Sequence, residues 1–243
     1  ETRNLKALRL LNRNLNPPQF SHLASSLFYQ ENIESNLDDK VRQELGLLSR
    51  YPWEAIWEID FGVFRGKNRP TRGWLAARFK IGDHDITIYN GHLKSNYGAE
   101  NPKDRERNIK KRDKAIDQLS KDLDRVGLDP YRDKIVVVGD FNADFFSSEF
   151  SDEKAFEAME RLGFHHTFLL SSTEKRITLP AKEGEPWPDG TFDYIFLSSG
   201  WKLKEVTAQV MAQGAAKRSE VYGGDEPGLA SDHYPVFIDL PLE

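Results

Sequence analysis

The pattern of apolar and polar positions predicts short strands separated by a few helices. Residues 73–81 and 85–93 alternate apolar and polar side chains, and the Gly-Asp pair between them is typical of a hairpin turn. Residues 135–138 are four consecutive apolar residues, which indicates a strand covered on both faces. Gly139 then permits a tight turn after that strand. Together these segments predict an α/β fold.

Residues 101–127 carry the clearest helical pattern. Asn101 is a favourable N-cap, Pro102 suits the first helical position, and Gly127 is a typical stop. The first half is rich in Lys and Arg, but acidic residues are interleaved, so this face is expected to be solvated. Within it, Arg105 and Arg112 are the arginines that could point towards a site. The apolar stripe consists of Ile109, Ile116, Leu119, Leu123 and Val126.

The front of the chain predicts smaller elements. Residues 5–15 alternate imperfectly and predict a first strand that stops at the Pro pair at 17–18. Residues 20–27 predict one or two helical turns. Residues 33–45 predict a helix, because their apolar positions recur every four residues.

Length and composition favour one domain. With 243 residues and 38% hydrophobic content, the chain can bury a sizeable core. No Ser/Gly-rich or Pro-rich linker and no internal repeat divides it. We therefore expect a single domain over residues 1–243, and we expect a monomer.

The charge and the cysteine count exclude several classes. The formal net charge is −5, which disfavours a globally basic nucleic-acid binder but permits a local basic patch such as residues 65–72. The absence of cysteine excludes a disulfide scaffold, a thiolate metal site and a thiol nucleophile. No apolar run approaches the roughly 18 residues that a membrane span needs. The chain starts without Met or an apolar signal segment, so the compartment stays open between cytoplasm and secretion after leader removal.

Acidic, amide and imidazole side chains recur at the ends of the predicted strands. His92 ends the hairpin, Asp140 and Asn142 follow the buried strand, Asp193 opens another strand, and His233 precedes the last one. An Asp beside a His is a typical orienting pair, in which the carboxylate fixes the imidazole tautomer. A long polar loop, residues 173–190, directly precedes Asp193 and is expected to face a substrate.

Two other interpretations concern the same residues. The segment after the buried strand is also compatible with an ordinary acidic turn, because Asp, Asn and Gly are common turn residues. A serine hydrolase would need a Gly-x-Ser-x-Gly elbow, and the sequence contains none.

The candidate residues also indicate which metal they would bind. Carboxylates and carboxamides are hard ligands, and in a chain that has no cysteine they suit Mg²⁺ or Mn²⁺ better than Zn²⁺.

Four motifs lie at the ends of the predicted strands. In chain order they are His92-Leu93-Lys94-Ser95, Gly139-Asp140-Phe141-Asn142, Phe192-Asp193-Tyr194-Ile195 and Ser231-Asp232-His233. In this order they resemble the motifs of the endonuclease/exonuclease/phosphatase superfamily of divalent-metal phosphoesterases. This superfamily includes pancreatic-type deoxyribonucleases, abasic-site endonucleases, sphingomyelinases and inositol-polyphosphate phosphatases. The resemblance covers roughly residues 73–240 and implies a four-layer α/β sandwich, in which two mixed β-sheets pack face to face with helices outside.

The front of the family pattern matches less regularly. Asn14 matches the family's Asn, although Arg13 stands where an aromatic residue is usual, and Gln30-Glu31 matches its Gln-Glu. Glu31 follows Asn14 by 17 residues, which is shorter than usual. Glu44 is better spaced but lies inside the predicted helix, so Glu31 is preferred. A shortened front end or omitted loop residues would both explain this spacing.

The resemblance implies a role for each matching residue. Glu31, Asn14 and Asp232 would hold one Mg²⁺, or Mn²⁺ in its place. Asp140, or else His233 oriented by Asp193, would activate the attacking water, and Asp140 is preferred. Asn142 and His92 would donate to the phosphate oxygens as charge develops, a contribution of roughly 3 kcal/mol each. The residues expected to bind substrate are Lys94, Arg72 and Asn96.

The implied function is Mg²⁺-dependent hydrolysis of phosphodiester bonds, with DNA as the preferred substrate. The basic segment at residues 65–72 and the cationic half of the long helix are the candidate contacts for a polyanion. Two alternatives stay open. One is a phosphatase or phosphodiesterase acting on a small molecule, a phospholipid or a phosphoinositide, and the other is a catalytically inactive binding module on the same fold.

Overall fold

The structure is a computed structural model that describes residues 5–15, 18–26, 45–59, 73–96, 98–168, 171–181, 188–203, 206–213 and 231–242. Several sequence predictions lie outside these residues. They are the helix over residues 33–44, the basic segment 65–72 and the individual residues Glu31, Glu44 and Arg72.

The described elements are three α-helices and ten strands. The helices are α1 (Leu5–Asn14), α2 (Pro102–Val126) and α3 (Ala155–Arg161). The strands are β1 (His22–Ser25), β2 (Gly46–Ser49), β3 (Trp53–Ile59), β4 (Trp74–Ile81), β5 (His84–His92), β6 (Lys134–Asp140), β7 (Phe164–His166), β8 (Asp193–Ser198), β9 (Gln209–Val210) and β10 (Val236–Phe237).

A mixed six-stranded sheet in the order β3-β4-β5-β6-β8-β7 forms the centre of the fold. The hairpin that the alternating pattern predicts is confirmed as β4 and β5, which pair antiparallel. β5 and β6 are parallel, which requires the long crossover through α2. The remaining neighbours are antiparallel, so β6 carries a parallel partner on one side and an antiparallel partner on the other.

Both faces of β6 are covered, as its uninterrupted apolar run predicts. Ile135 and Val137 belong to a core cluster that includes residues of α2 and α3. Val136 packs on the opposite face, where Val138 and the C-terminal segment around Ile238 and Leu240 adjoin the same cluster. Since successive side chains of a strand point to opposite faces, one four-residue run supplies both cores.

The predicted boundaries of α2 are confirmed. The Asn101 side chain accepts a hydrogen bond from the Lys103 N–H, Pro102 begins the helix, and Gly127 ends it in the left-handed conformation. The buried face is more polar than the apolar stripe predicts, because it also contains Asn108, Arg112, Gln118 and Asp122. In the described part of the chain, no helix has both the length and the apolar content to cross a membrane.

Asp122 connects this helix to the central sheet. Its carboxylate accepts hydrogen bonds from Trp57 Nε1 at 2.8 Å and from the Tyr89 hydroxyl at 3.0 Å. Arg125 donates to the other carboxylate oxygen. Burial, and next the nearby Asp122 charge, raise the pKa of Tyr89 well above its usual range, so the phenol remains a donor.

The predicted first strand is wrong, because residues 5–14 form α1. Leu8 and Asn12 are buried one helical turn apart, whereas Leu10 and Leu11 are exposed. The apolar spacing is therefore helical rather than alternating. The Asn12 side chain also holds the backbone N–H and carbonyl of Phe20, which fixes the chain where it leaves the helix.

The helical turns predicted for residues 20–27 are also wrong. Residues 22–25 are strand β1, which pairs antiparallel with β2 from His22↔Ser49 to Ser25↔Gly46. Pairing with a segment more than 20 residues away overrides the local pattern. β1 with β2, and β9 with β10, form two further antiparallel pairs beside the central sheet.

Gly139 is required by the close approach of β5 and β6. Its φ is +143°, and a Cβ at this position would lie 1.8 Å from the carbonyl oxygen of Gly91, its partner in the register. No rotamer change can relieve a clash with backbone. The residue therefore allows the strand end that carries Asp140 to lie against β5.

We predict that Gly139→Ala lowers the free energy of unfolding by about 3 kcal/mol or more, because both the backbone conformation and the space exclude a side chain. Gly82→Ala is the matched control, since Gly82 also has a positive φ of +60°, but a Cβ there would meet no other atom within 4 Å. That control is expected to cost about 1 kcal/mol. Urea unfolding followed by circular dichroism measures both, and equal losses would refute the role given to Gly139.

Candidate active site

Three strand ends bring polar side chains to one edge of the central sheet. His92 lies opposite Asp140 in the parallel β5–β6 register, and Asp140 lies opposite Asp193 in the antiparallel β6–β8 register. The backbone continues this alignment, because the Leu93 N–H donates to the Asp140 carbonyl and the Phe141 N–H donates to the Phe192 carbonyl. Strand pairing thus places the side chains of His92, Asp140 and Asp193 next to one another.

Asp140 accepts hydrogen bonds from the turn that follows it. The Asn142 N–H donates to one carboxylate oxygen at 2.8 Å, and the Asn142 side-chain amide donates to the other at 2.8 Å. His92 Nε2 lies 3.5 Å from the second oxygen and 3.1 Å from the same amide nitrogen. Asp140, Asn142 and His92 therefore form one contiguous polar group.

The backbone at Asn142 is left-handed, with φ at +53°. Asn tolerates this conformation better than most residues, which suits it to the turn. Its carbonyl accepts a hydrogen bond from the Asn96 side chain at 2.9 Å, and its amide also donates to the Leu93 carbonyl. The loop after β5 thereby holds the turn after β6.

Asp193 and His233 form the second polar group. His233 Nδ1 lies 2.7 Å from Asp193 Oδ2, as the orienting-pair interpretation of the sequence predicts. The Ser231 hydroxyl oxygen accepts the backbone N–H of His233 at 3.0 Å. Since Nδ1 is tied to the carboxylate, the tautomer and ring orientation of His233 are set by Asp193.

The acidic residues shift the pKa values of this site. Burial raises the pKa of Asp140, and the Asp193 charge adds to this, while the nearby His92 and His233 oppose it. Burial would lower the pKa of His233, but the Asp193 charge and hydrogen bond, followed by the Asp140 and Asp232 charges, outweigh burial and raise it to about 10. A cation is therefore strongly favoured among these carboxylates.

The donor atoms are compatible with a divalent metal. One ligand atom each from Asp140, Asp193 and His233 lie within 4.8 Å of one another, and the buried Asp232 adjoins His233 in sequence. The two carboxylates are hard oxygen donors of the kind that suits Mg²⁺ or Mn²⁺, whereas the imidazole of His233 is a donor typical of softer metals.

A cleft of about 410 Å³ adjoins the Asp193–His233 pair. Polar groups of the site form one part of its lining, and apolar side chains from the second core form much of the rest. The lining consists of Val138, Gly139, Asp193, Tyr194, Ile195, Ser231, His233, Tyr234, Pro235 and Val236.

The described residues bring the five predicted catalytic side chains to one sheet edge, and Lys94 and Asn96 to the adjoining loop. Lys94 Nζ lies 3.0 Å from the Ser95 hydroxyl oxygen and 2.8 Å from its carbonyl. Asn14 is not brought to this group, because it is the exposed last residue of α1, which packs on β1 and β2. Its role as a ligand, like that of Glu31, stays a prediction.

Sequence reasoning missed two residues that fix the start of β8. The Thr178 hydroxyl accepts the backbone N–H groups of Phe192 and Asp193 at 2.9 and 3.1 Å, and its carbonyl accepts the Tyr234 N–H at 2.7 Å. Asp144 accepts the Thr191 N–H at 3.2 Å. Neither residue has a sequence signal, because their hydrogen-bond partners lie 14 to 47 residues away along the chain.

Sequence reasoning also missed the role of Arg112, which the helical pattern indicates only as an arginine that could point towards a site. Arg112 is fully buried and forms a two-bond ion pair with Glu153, and its Nη1 donates to the Lys94 carbonyl at 2.6 Å. Arg112 therefore connects α2 to the loop that follows His92. Arg105 instead pairs with the exposed Asp152.

We predict that Arg112→Met lowers the free energy of unfolding by about 3–5 kcal/mol, because it leaves the buried Glu153 without a counter-charge. Arg112→Met combined with Glu153→Leu should recover most of this loss, since the uncompensated charge is removed. Urea unfolding measures both variants, and a double variant as unstable as the single one would refute the explanation.

The comparisons with known proteins agree with this geometry. Residues 2–233 match the profile of the Endonuclease/Exonuclease/phosphatase family. The chain therefore belongs to the endonuclease/exonuclease/phosphatase family, whose members are metal-dependent phosphoester hydrolases. A comparison with curated protein sequences gives no match.

Solved structures show the same fold at low sequence identity. A family protein from Leptotrichia buccalis superposes with a TM-score of 0.60 and 17% identity, over 97% of this chain and 78% of that one. Humanised TDP2 from D. rerio gives 0.57 and 13%, over 97% and 81%. Beta toxin from Staphylococcus aureus with bound magnesium ions gives 0.51 and 19%, over 79% and 66%. The predicted four-layer α/β sandwich is thereby confirmed.

Proposed function

We propose that this chain is a Mg²⁺-dependent phosphodiesterase, with DNA as its preferred class of substrate. The observation that carries the proposal is the convergence of Asp140, Asn142 and His92 with the Asp193–His233 pair at one sheet edge. Carboxylates, an amide and two imidazoles within a few ångströms supply a base, hydrogen-bond donors and metal ligands together. Such a group exceeds what a turn at a strand end requires.

Asp140 is the residue that accepts the proton of the attacking water. Its raised pKa makes the carboxylate a stronger base than an exposed aspartate, and it has donors on both oxygens that hold it in place. His233 is the weaker candidate for this role, because its pKa is raised to about 10 and the imidazole is therefore protonated near neutral pH. Asn142 and His92 donate to the phosphate oxygens as negative charge develops on them.

Mg²⁺ would be held by Asp232 together with Glu31 and Asn14, or by the described group of Asp140, Asp193 and His233. When bound, the ion would polarise the phosphate and stabilise charge on the leaving oxygen. The magnesium ions bound in the similar beta toxin support a divalent cofactor in this fold.

A nucleic-acid substrate is supported by the anion-binding chemistry near the site. Lys94 lies in the loop after β5, and the basic segment over residues 65–72 is a further candidate contact. Because the whole chain carries a net charge of −5, attraction of a polyanion has to come from such local groups. Cleavage of DNA should therefore decrease steeply with salt.

A second candidate function is hydrolysis of a small diester, a phospholipid or a phosphoinositide. The cleft beside His233 favours it, because apolar side chains such as Val138, Ile195 and Val236 line that cleft and could contact an apolar leaving group. A catalytically inactive binding module is the remaining alternative.

We predict that the chain hydrolyses plasmid DNA or bis(p-nitrophenyl) phosphate in Mg²⁺ or Mn²⁺ and that EDTA abolishes this activity. Asp140→Ala should lower kcat by about 10³-fold, because it removes the base. Asp85→Ala is the matched control, since Asp85 is an exposed aspartate at the opposite end of the same sheet. It should change kcat less than twofold.

Metal binding is measured separately by electron paramagnetic resonance of Mn²⁺. Weaker binding in Asp232→Asn with unchanged binding in Asp193→Asn would favour the ligand set of Asp232, Glu31 and Asn14, and the reverse would favour the Asp140, Asp193 and His233 group. Full activity of folded Asp140→Ala would refute the proposed base. Inactivity of the wild type on DNA, the small diester and phospholipid vesicles would favour the binding module.

A further inference from the structure

Arg176 and Phe146 form a cation–π pair in which Phe146 is exposed and Arg176 is half-buried. The Arg176 guanidinium carbon lies 3.7 Å from the centroid of the Phe146 ring, and that aromatic side chain is 37% exposed. A cation–π contact at the surface contributes about 0.5–1 kcal/mol, so the stack by itself adds little stability.

Both halves of the pair are tied to the strand ends that carry the catalytic aspartates. The Phe146 N–H donates to Asp144, four residues after Asp140, and the Arg176 carbonyl accepts from the hydroxyl of Thr191, two residues before Asp193. Asp144 also accepts the Thr191 N–H, so it joins the two segments directly. The stack is therefore held in a fixed position relative to the site.

The Arg176 guanidinium keeps donors that an anion could use. In the part of the chain that the structure describes, Arg176 forms no salt bridge, although the exposed Glu174 lies near enough to interact with its charge. One guanidinium nitrogen donates to the Ser171 carbonyl at 3.3 Å. A guanidinium presents five N–H donors in a plane that matches phosphate geometry. Stacking on Phe146 orients that plane and reduces the entropy lost on binding.

We propose that Arg176 and Phe146 form a subsite for the nucleotide next to the scissile phosphodiester, with Arg176 on its phosphate and Phe146 against its base. The inference rests on the phosphodiesterase function proposed above. It also predicts that single-stranded DNA is a better substrate than duplex DNA, because a base can stack on a protein ring only when it is not stacked within a duplex.

The first experiment compares hydrolysis of a 20-nucleotide single-stranded DNA and of bis(p-nitrophenyl) phosphate, which has no neighbouring nucleotide. Arg176→Ala and Phe146→Ala should each raise KM for the oligonucleotide about tenfold, with a smaller effect on kcat. The loss of kcat/KM on the oligonucleotide should exceed the loss on the small diester by at least fivefold. Arg176→Lys should fall between Arg176→Ala and the wild type, because it keeps the charge but not the planar fork.

Arg132→Ala and Tyr131→Ala are the matched controls. These residues are an exposed aromatic residue and an exposed arginine that follow each other in sequence just before β6, at the opposite end of the strand from Asp140, and Arg132 pairs with Asp129. Both variants should stay within twofold of the wild type on both substrates. If Arg132→Ala and Arg176→Ala lower kcat/KM equally, Arg176 contributes only to the overall charge and the subsite is refuted. Equal losses of kcat/KM on the two substrates in Arg176→Ala would also refute it.

A second experiment separates this subsite from the proposed activity. Fluorescence anisotropy measures binding of the labelled oligonucleotide in the Asp140→Asn background, where turnover is suppressed. Adding Arg176→Ala should weaken binding about tenfold and lower the slope of log affinity against log salt by about 0.7. Unchanged binding overturns the subsite even if the wild type is an active phosphodiesterase. If the wild type cleaves no substrate but its binding of the oligonucleotide depends on Arg176, the subsite is upheld and the proposed phosphodiesterase activity is refuted.

Discussion

The candidate site depends on the close contact between β5 and β6 at Gly91 and Gly139. Only a residue without a side chain fits at Gly139, because a Cβ would collide with the Gly91 carbonyl. Gly91 is restricted in turn by the Trp74 ring, which would lie 2.3 Å from a Cβ there. This approach sets the register one residue further on, where His92 meets Asp140. The geometry of the candidate catalytic group therefore originates in the backbone rather than in the side chains.

The candidate site also depends on buried polar contacts made by α2. The buried face of α2 carries Arg112 and Asp122, which bind the Lys94 carbonyl and the Trp57 and Tyr89 side chains. Burial raises the pKa of Glu153, but its paired Arg112 opposes this and provides the counter-charge. Such networks are costly to desolvate and strongly directional, so they favour one position of the helix over others.

The electrostatic potential at the sheet edge is dominated by negative charge. Asp140, Asp193 and Asp232 concentrate negative charge, and His233 responds with a pKa of about 10. The same field that stabilises an imidazolium stabilises a divalent cation, which is why this arrangement suits a metal-dependent phosphoesterase. A phosphate anion could approach such a site only with the help of cations, and the subsite proposed for Arg176 would supply one.

Sequence alone determined the elements whose signals are local. The β4–β5 hairpin, the capped helix α2 and the buried strand β6 were predictable because turn residues, caps and apolar runs act over a few positions. The four motifs at strand ends identified the five catalytic candidates through their resemblance to the family pattern. The pairing of Asp193 with His233 followed from the usual orientation of an imidazole by a carboxylate, and the structure has them 2.7 Å apart.

Tertiary structure decided what depends on distant partners. Residues 5–14 became a helix because Leu8 and Asn12 are buried one turn apart, and residues 22–25 became a strand because β2 pairs with them. Thr178, Asp144 and Arg112 were beyond the reach of the sequence pattern, since their importance lies in hydrogen bonds to segments far along the chain. A polar residue in the sequence does not indicate whether water or a buried backbone group will be its partner, and only the folded chain decides between them.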